Sequence, residues 1–415
     1  MKSHWYFFVV FIAFTFSSCH LGRFVWFNYA NITDHKIFPY TEVNTSGTPF
    51  FFEDATDTPM AKKVREITIS NEDNRWNLDQ YLDEETRTVG FVVIKNDSIL
   101  FENYYEDYDR TQISNIFSVS KSITSLMVGI AVDEGYIKSV DDPITDYVPA
   151  LKEGDSRFQR LTIQHLLDMR SGIDYNESYT NPFKHMAKLY YGKDQLGQIE
   201  KMTFLYEPGT VHRYQSVCTS LLGIAVEKST GKELGAYLEE KVWKPMGMEN
   251  SASWSVDDNK HRSTKAYCCL NTTAIDLAKI ARLYLNMGNW NGQQIVSKEW
   301  IIASTTPNLE NEGYQNQWYG VDGVSREDGK VLTYPDSLSA EAAAKEKEYL
   351  THIVYKKGAG DWRIYYGTNN YYALGILGQH IYVDPDQKLI IVRLGEKWDE
   401  NYFRIFQKIR YVIQG

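Results

Sequence analysis

Apolar residues fall into two rhythms along this chain, one of helical period and one of strand period. Trp76, Leu78, Tyr81 and Leu82 follow polar capping residues at helical spacing, which predicts a helix over 71–82. Residues 89–94 and 99–105 are β-rich and flank the turn Asn96-Asp97, the pattern of a hairpin. Residues 118–135 read as a buried helix with Ile123, Met127, Ile130 and Ala131 as its apolar stripe. Helical spacing continues over 161–169, 218–228, 234–242 and 273–287, the last stopped by Gly288 and followed by a turn over 289–293. Residues 325–365 look like an insertion holding a short helix over 340–347. Strand character returns over 371–377, 379–383 and 388–394 with a turn at Asp384-Pro385-Asp386, and 402–413 closes as an amphipathic helix.

Strands at both ends and helices between them predict an α+β fold. One antiparallel sheet draws on both ends of the chain, helices flank it, and a helical region of about 125–270 is inserted. The chain divides into a leader over 1–19, an extension over 20–65 rich in Phe, Tyr, Asn and Thr, and a main domain over 66–415. Lys2 precedes an apolar run over 5–16. That run is shorter than the roughly 20 residues a membrane-spanning helix needs, and fits the core of an export signal. Ser17-Ser18-Cys19 resembles a bacterial lipoprotein cleavage site, where Cys19 is lipidated, although Phe16 stands where Leu is usual. On this reading the protein is exported to the periplasm or cell envelope and held at a membrane by lipid on Cys19. Plain secretion and a retained anchor are the other readings.

Charge and composition narrow the chemistry. The net charge is −10, with no concentrated Lys/Arg run, which argues against nucleic acid as a partner. Aromatic content is 14%, including 30 Tyr, which suits half-wet clefts as well as an ordinary tyrosine-rich surface. The nine His are scattered without an H-E-x-x-H or a close pair, so no metal site is expected, and nothing calls for a cofactor. Cys218 lies in an apolar helical run and reads as a small core residue. Cys268 and Cys269 are adjacent, and neighbours in sequence rarely pair because the geometry is strained, so no disulfide is expected there.

Ser118-Val119-Ser120-Lys121 is an S-x-x-K sequence. Three residues span about one helical turn, so both side chains point to one side. A serine needs a base to become a nucleophile, and a lysine can serve if burial lowers its pKa. Helix N-terminal N–H groups add a site that favours negative charge. The motif alone is weak, since roughly one or two matches are expected by chance in such a chain. A second, Ser229-Thr230-Gly231-Lys232, lies between two helices with Gly231 as a C-cap and reads as a turn. Context favours Ser118, because a buried helix follows it. The bland alternative is an N-capping serine with a solvated lysine.

From Ser118 onward the chain resembles the serine β-lactamase-related hydrolases. Phe117-Ser118-Val119-Ser120-Lys121-Ser122 is similar to the start of their active-site helix. Leu161-Thr162-Ile163 through Leu166-Leu167 with Ser171-Gly172, then Pro208-Gly209 with Tyr214, then Pro245-Met246-Gly247-Met248 follow in the family's order. The blocks at 273–286, 292–300 and 375–385 continue it, so the likeness runs from about residue 70 to the C-terminus. It implies a β-lactamase/transpeptidase-like fold, of the class C type. Tyr214 would relay protons between Ser118, Lys121 and the leaving group. Backbone N–H groups of Ser118 and Gln379 would form the oxyanion hole. Ser216 stands where the family often has Asn, and Ile376-Leu377-Gly378 stands where it has a cation and a hydroxyl before the glycine. Gly378 keeps the close backbone approach. Ile376 cannot pair with a substrate carboxylate, so β-lactam hydrolysis is not expected as the main activity.

The combination looks most like the 6-aminohexanoate-dimer hydrolase and carboxylesterase branch, which takes a small ester or amide. Ser216, Gly378, Tyr175 and Trp318 are candidates for the substrate cleft, although the two aromatics read more readily as core packing. Two other readings stay open: a cell-wall D-amino-acid peptidase, amidase or weak β-lactamase, and a non-catalytic lipoprotein that binds a ligand on the same scaffold.

Overall fold

The computed structural model describes residues 20–414, apart from positions 28, 71–73, 312, 321–322, 325, 328–329, 348–351, 358–360, 367–368 and 399–401. The leader, with Cys19, lies outside the described residues. The chain forms two compact units, one of residues 1–49 and 113–273, the other of 50–112 and 274–415. The stretch 20–65 therefore divides at Pro49, its first part joining the first unit and its second part the other.

The second unit is built on an eight-stranded sheet. Its central strands run Tyr371–Gly375, Gln379–Asp384, Leu389–Gly395, Thr88–Lys95 and Ser98–Tyr104, each antiparallel to the next. Both ends of the chain thus share one sheet, as the pattern predicts. The edge strand Glu53–Asp54 runs parallel to Ser98–Tyr104. Thr88–Lys95 and Leu389–Gly395 are buried along nearly their whole length. Alternate side chains leave opposite faces of a strand, so burial of every residue means that both faces are covered. Phe91, Val93, Leu389 and Ile391 pack with the helices Leu78–Glu84 and Tyr402–Gln414 in one cluster. Helix Ala274–Leu285 lies against the strands Gln379–Asp384, Leu389–Gly395 and Thr88–Lys95. Asn77 caps the helix Leu78–Glu84 through a reciprocal box with Gln80, so this helix starts later than the pattern suggests. The expected insertion carries the helix Ser337–Glu346 and the strands His352–Lys357 and Asp361–Tyr366.

The first unit is mainly helical. Helices Val119–Asp133 and Ser216–Thr230 pack on one another and are buried through most of their length. Beside them lies a four-stranded antiparallel sheet, ordered Tyr40–Val43, Ala252–Ser255, Leu270–Thr272, Ser114–Asn115. Gly231 caps the second helix at φ 70° as expected, but the second S-x-x-K match straddles the helix end, Ser229 and Thr230 being its last residues. Among the described residues no helix is long and apolar enough to cross a membrane.

Candidate active site

Ser118 and Lys121 sit at the start of helix Val119–Asp133, and the backbone there is unusual. Phe117 takes φ 45°, a conformation that bulky residues seldom adopt, with its N–H held by the Asn115 side chain at 2.9 Å. Ser118 occupies the N-cap position but makes no side-chain cap, which leaves its hydroxyl for other work. Lys121 Nζ donates to Ser118 Oγ at 3.0 Å and to the Tyr267 carbonyl at 2.9 Å. Lys121 is only 1% exposed, whereas Ser118 is half-buried. Burial pushes the lysine down from 10.5 to about 8, against the opposing pull of the Glu177 carboxylate. A solvated lysine beside a capping serine is excluded by this geometry.

Tyr214 reaches the same amine, its ring centroid 5.0 Å from Lys121 Nζ. The sequence blocks around it turn out to be one structural node. Ser171-Gly172 and Pro208-Gly209 are tied by bonds from Leu205 N to Gly172 O and from Gly209 N to Arg170 O, both 2.8 Å. Gly172 has φ 75°, and a Cβ there would lie 2.3 Å from the Tyr206 carbonyl oxygen. Gly209 has φ 83°, and a Cβ would lie 2.5 Å from His165 Nε2. Gln215 then bonds Ser171 Oγ at 2.8 Å and the Ile173 carbonyl at 3.0 Å. This lattice fixes the chain on either side of Tyr214.

Glu177 carries no sequence signal and was not among the candidates. Its carboxylate accepts from Ser216 N at 2.8 Å, Ser216 Oγ at 2.5 Å and the Tyr179 hydroxyl at 2.8 Å. It therefore holds the N-terminus of the helix that follows Tyr214. Ser216 is 1% exposed and its hydroxyl is committed to Glu177, so it is not open to a substrate as the sequence suggested.

Tyr175 and Trp318 take the core-packing role rather than the cleft role. Tyr175 is buried, stacks on His185 and donates to Met186 Sδ at 3.3 Å. Trp318 is buried in the second unit between Tyr284 and Tyr371, with ring centroids at 4.5 and 5.5 Å. Contrary to the expectation from their adjacency, Cys268 and Cys269 form a disulfide, with Cys269 in the left-handed region at φ 70° accommodating the bridge. Strain alone was the basis for expecting no pairing, and this backbone conformation meets it. Cys218 is a buried free thiol, pushed up to about 12 by desolvation, as suits a core residue.

In the second unit, Gly378 has φ 82°, and a Cβ would lie 2.4 Å from Arg393 Nη1. The buried Arg393 donates to the Leu377, Gly378 and Thr86 carbonyls and to Thr88 Oγ1, fixing the turn that leads into Gln379. The Gln379 side chain bridges to the Gly395 backbone, donating at 2.6 Å and accepting at 3.1 Å. Among the described residues one trio offers metal-ligand atoms close together, Asp257, Asp258 and His261. Asp257 is already occupied by the N–H groups of Gln195, Asp258 and Ser263.

On an α+β scaffold, a serine addressed by a desolvated lysine at a helix start is the arrangement of a serine hydrolase with a lysine base. A family model narrows the class: it matches residues 74–411, and the chain belongs to the Beta-lactamase family. The chain is 27% identical over 332 residues to the 6-aminohexanoate-dimer hydrolase of Paenarthrobacter ureafaciens, spanning 77% of this chain and 74% of the relative. A solved Bacillus anthracis structure, provisionally named a 6-aminohexanoate-dimer hydrolase, superimposes with a TM-score of 0.70 at 20% identity, over 92% of each chain. EstCE1, a hydrolase with promiscuous acyltransferase activity, gives 0.57 at 17% identity over 86% of this chain and 98% of its own. The two structural likenesses establish the shared fold.

Proposed function

We propose that this protein hydrolyses esters or small amides through an acyl-enzyme on Ser118. The observation that carries the reading is the 3.0 Å contact between Ser118 Oγ and a lysine amine removed from water. Lys121, aided by Tyr214, takes the serine proton as Oγ attacks the substrate carbonyl. The backbone N–H group of Ser118 holds the tetrahedral oxyanion. Such a donor is worth about 3 kcal/mol in the transition state. The leaving group departs with a proton delivered through Tyr214. Water, activated by Tyr214 or Lys121, then attacks the acyl group and frees Ser118.

Ile376 supports a substrate without a carboxylate at that position, in line with an ester or a linear amide rather than a β-lactam. The relative named for 6-aminohexanoate dimer favours the same class. The leader, with its apolar run and Cys19, supports export and lipid anchoring at the cell envelope.

The test is a substrate panel with purified protein: p-nitrophenyl esters, 6-aminohexanoate-type linear amides, D-amino-acid amides and penicillin. Turnover of esters or linear amides that disappears in Ser118→Ala supports the reading. Penicillin as the best substrate, or no turnover and no fluorophosphonate labelling at all, overturns it.

A further inference from the structure

We propose that the Cys268–Cys269 disulfide positions the base, so that the orientation of Lys121 depends on the redox state of this bridge. The inference rests on Lys121 acting on Ser118. A neutral lysine amine has two N–H bonds and one lone pair. For the lone pair to face the Ser118 hydroxyl, at least one N–H must be fixed elsewhere. The Tyr267 carbonyl does this at 2.9 Å, and Tyr267 is the residue immediately before the disulfide.

The segment around the bridge is stitched to the nucleophile helix at several points. Thr124 Oγ1 donates to the Ala266 carbonyl at 2.8 Å, Leu270 N donates to Ser120 Oγ at 3.2 Å, and Ile116 N donates to the Leu270 carbonyl at 3.0 Å. The Tyr267 carbonyl thus projects from a stretch anchored on both sides. Between the anchors stands Cys269 at φ 70°, a conformation that non-glycine residues seldom hold. The bridge closes a small ring through the peptide bond joining the two cysteines, and that ring restricts the backbone torsions it contains. The Cys268 and Cys269 carbonyls are fixed in turn by Trp254 Nε1 and Ser255 N, both at 3.0 Å. Opening the ring frees these torsions beside the carbonyl that aims Lys121. A dithiol opens it by giving two electrons and two protons: the Sγ–Sγ bond breaks, two thiols form, and the dithiol becomes its own disulfide.

The experiment compares oxidised protein, protein reduced by a dithiol, the Cys268→Ser/Cys269→Ser double variant and Ser118→Ala. Mass spectrometry reports the state of the bridge and circular dichroism reports the fold. Reduction and the double variant are each expected to lower kcat for p-nitrophenyl acetate, and the rate of fluorophosphonate labelling, on the order of tenfold to a hundredfold. KM stays nearly constant, and the acid limb of the pH profile moves to lower pH because the amine loses an acceptor. Reoxidation restores the reduced sample. Peptide mapping that finds two free thiols in the untreated protein overturns the proposal. So does a reduced or serine form, folded, with the kcat and acid limb of the untreated protein. Ester hydrolysis that survives in Ser118→Ala overturns the underlying mechanism instead, and this inference with it.

Discussion

Lys121 sets the pH at which Ser118 can be activated. Burial brings its amine down to about 8, so below that pH it already holds the proton it has to accept, and above it the base is free. The rate kcat/KM for a neutral ester is therefore expected to rise with pH through about 8. Lys121→Met should lower it by about a thousandfold and abolish the rise, as a steady-state pH profile would show. Glu177→Gln removes a carboxylate that favours the ammonium form, and its acid limb is expected at lower pH. A profile unmoved in that variant would leave Glu177 with only a structural part. Ser118, Lys121 and Tyr214 were legible in the sequence because S-x-x-K is a local spacing of one turn and the later blocks keep a fixed order. Glu177 was not, because it meets Ser216 across 39 positions and a lone glutamate has no spacing to betray it.

Elements were legible where one periodicity ran uninterrupted. Helix Val119–Asp133, the strands from Tyr371 to Gly395 and helix Tyr402–Gln414 all lie within a few residues of their expected places. Strand pairings across long separations were not, because nothing in Tyr40–Val43 names Ala252–Ser255 as its partner. The motif glycines acquire their reasons only at this scale. Gly172 and Gly209 allow two loops to cross beside Tyr214 in contacts too close for a side chain. Gly172→Ala is expected to cost roughly 1–3 kcal/mol, from left-handed backbone strain and a clash with fixed backbone. Urea unfolding measures that loss, and kcat should fall with it as Tyr214 shifts. An unchanged unfolding midpoint would show that the loop has room to move.

At the scale of the whole chain, the sheet uniting residues 88–104 with 371–395 was readable from strand character at both ends. The division of the extension at Pro49 was not, because Tyr40–Val43 pairs with Ala252–Ser255 and Glu53–Asp54 with Ser98–Tyr104, partners that no local pattern names. The proposed export rests on the leader alone. Cys19→Ser should release the protein from the membrane fraction of cells, read by immunoblot after fractionation, and an undiminished membrane share would speak against the lipid. The central claim is that a carbonyl substrate becomes bonded to Ser118, and intact-protein mass spectrometry after rapid acid quenching with a p-nitrophenyl ester tests it most directly. The account predicts a mass increase of one acyl group, mapped to the peptide carrying Ser118 and missing in Ser118→Ala. Ester turnover with no adduct at any quench time, or an adduct on another residue, would contradict it.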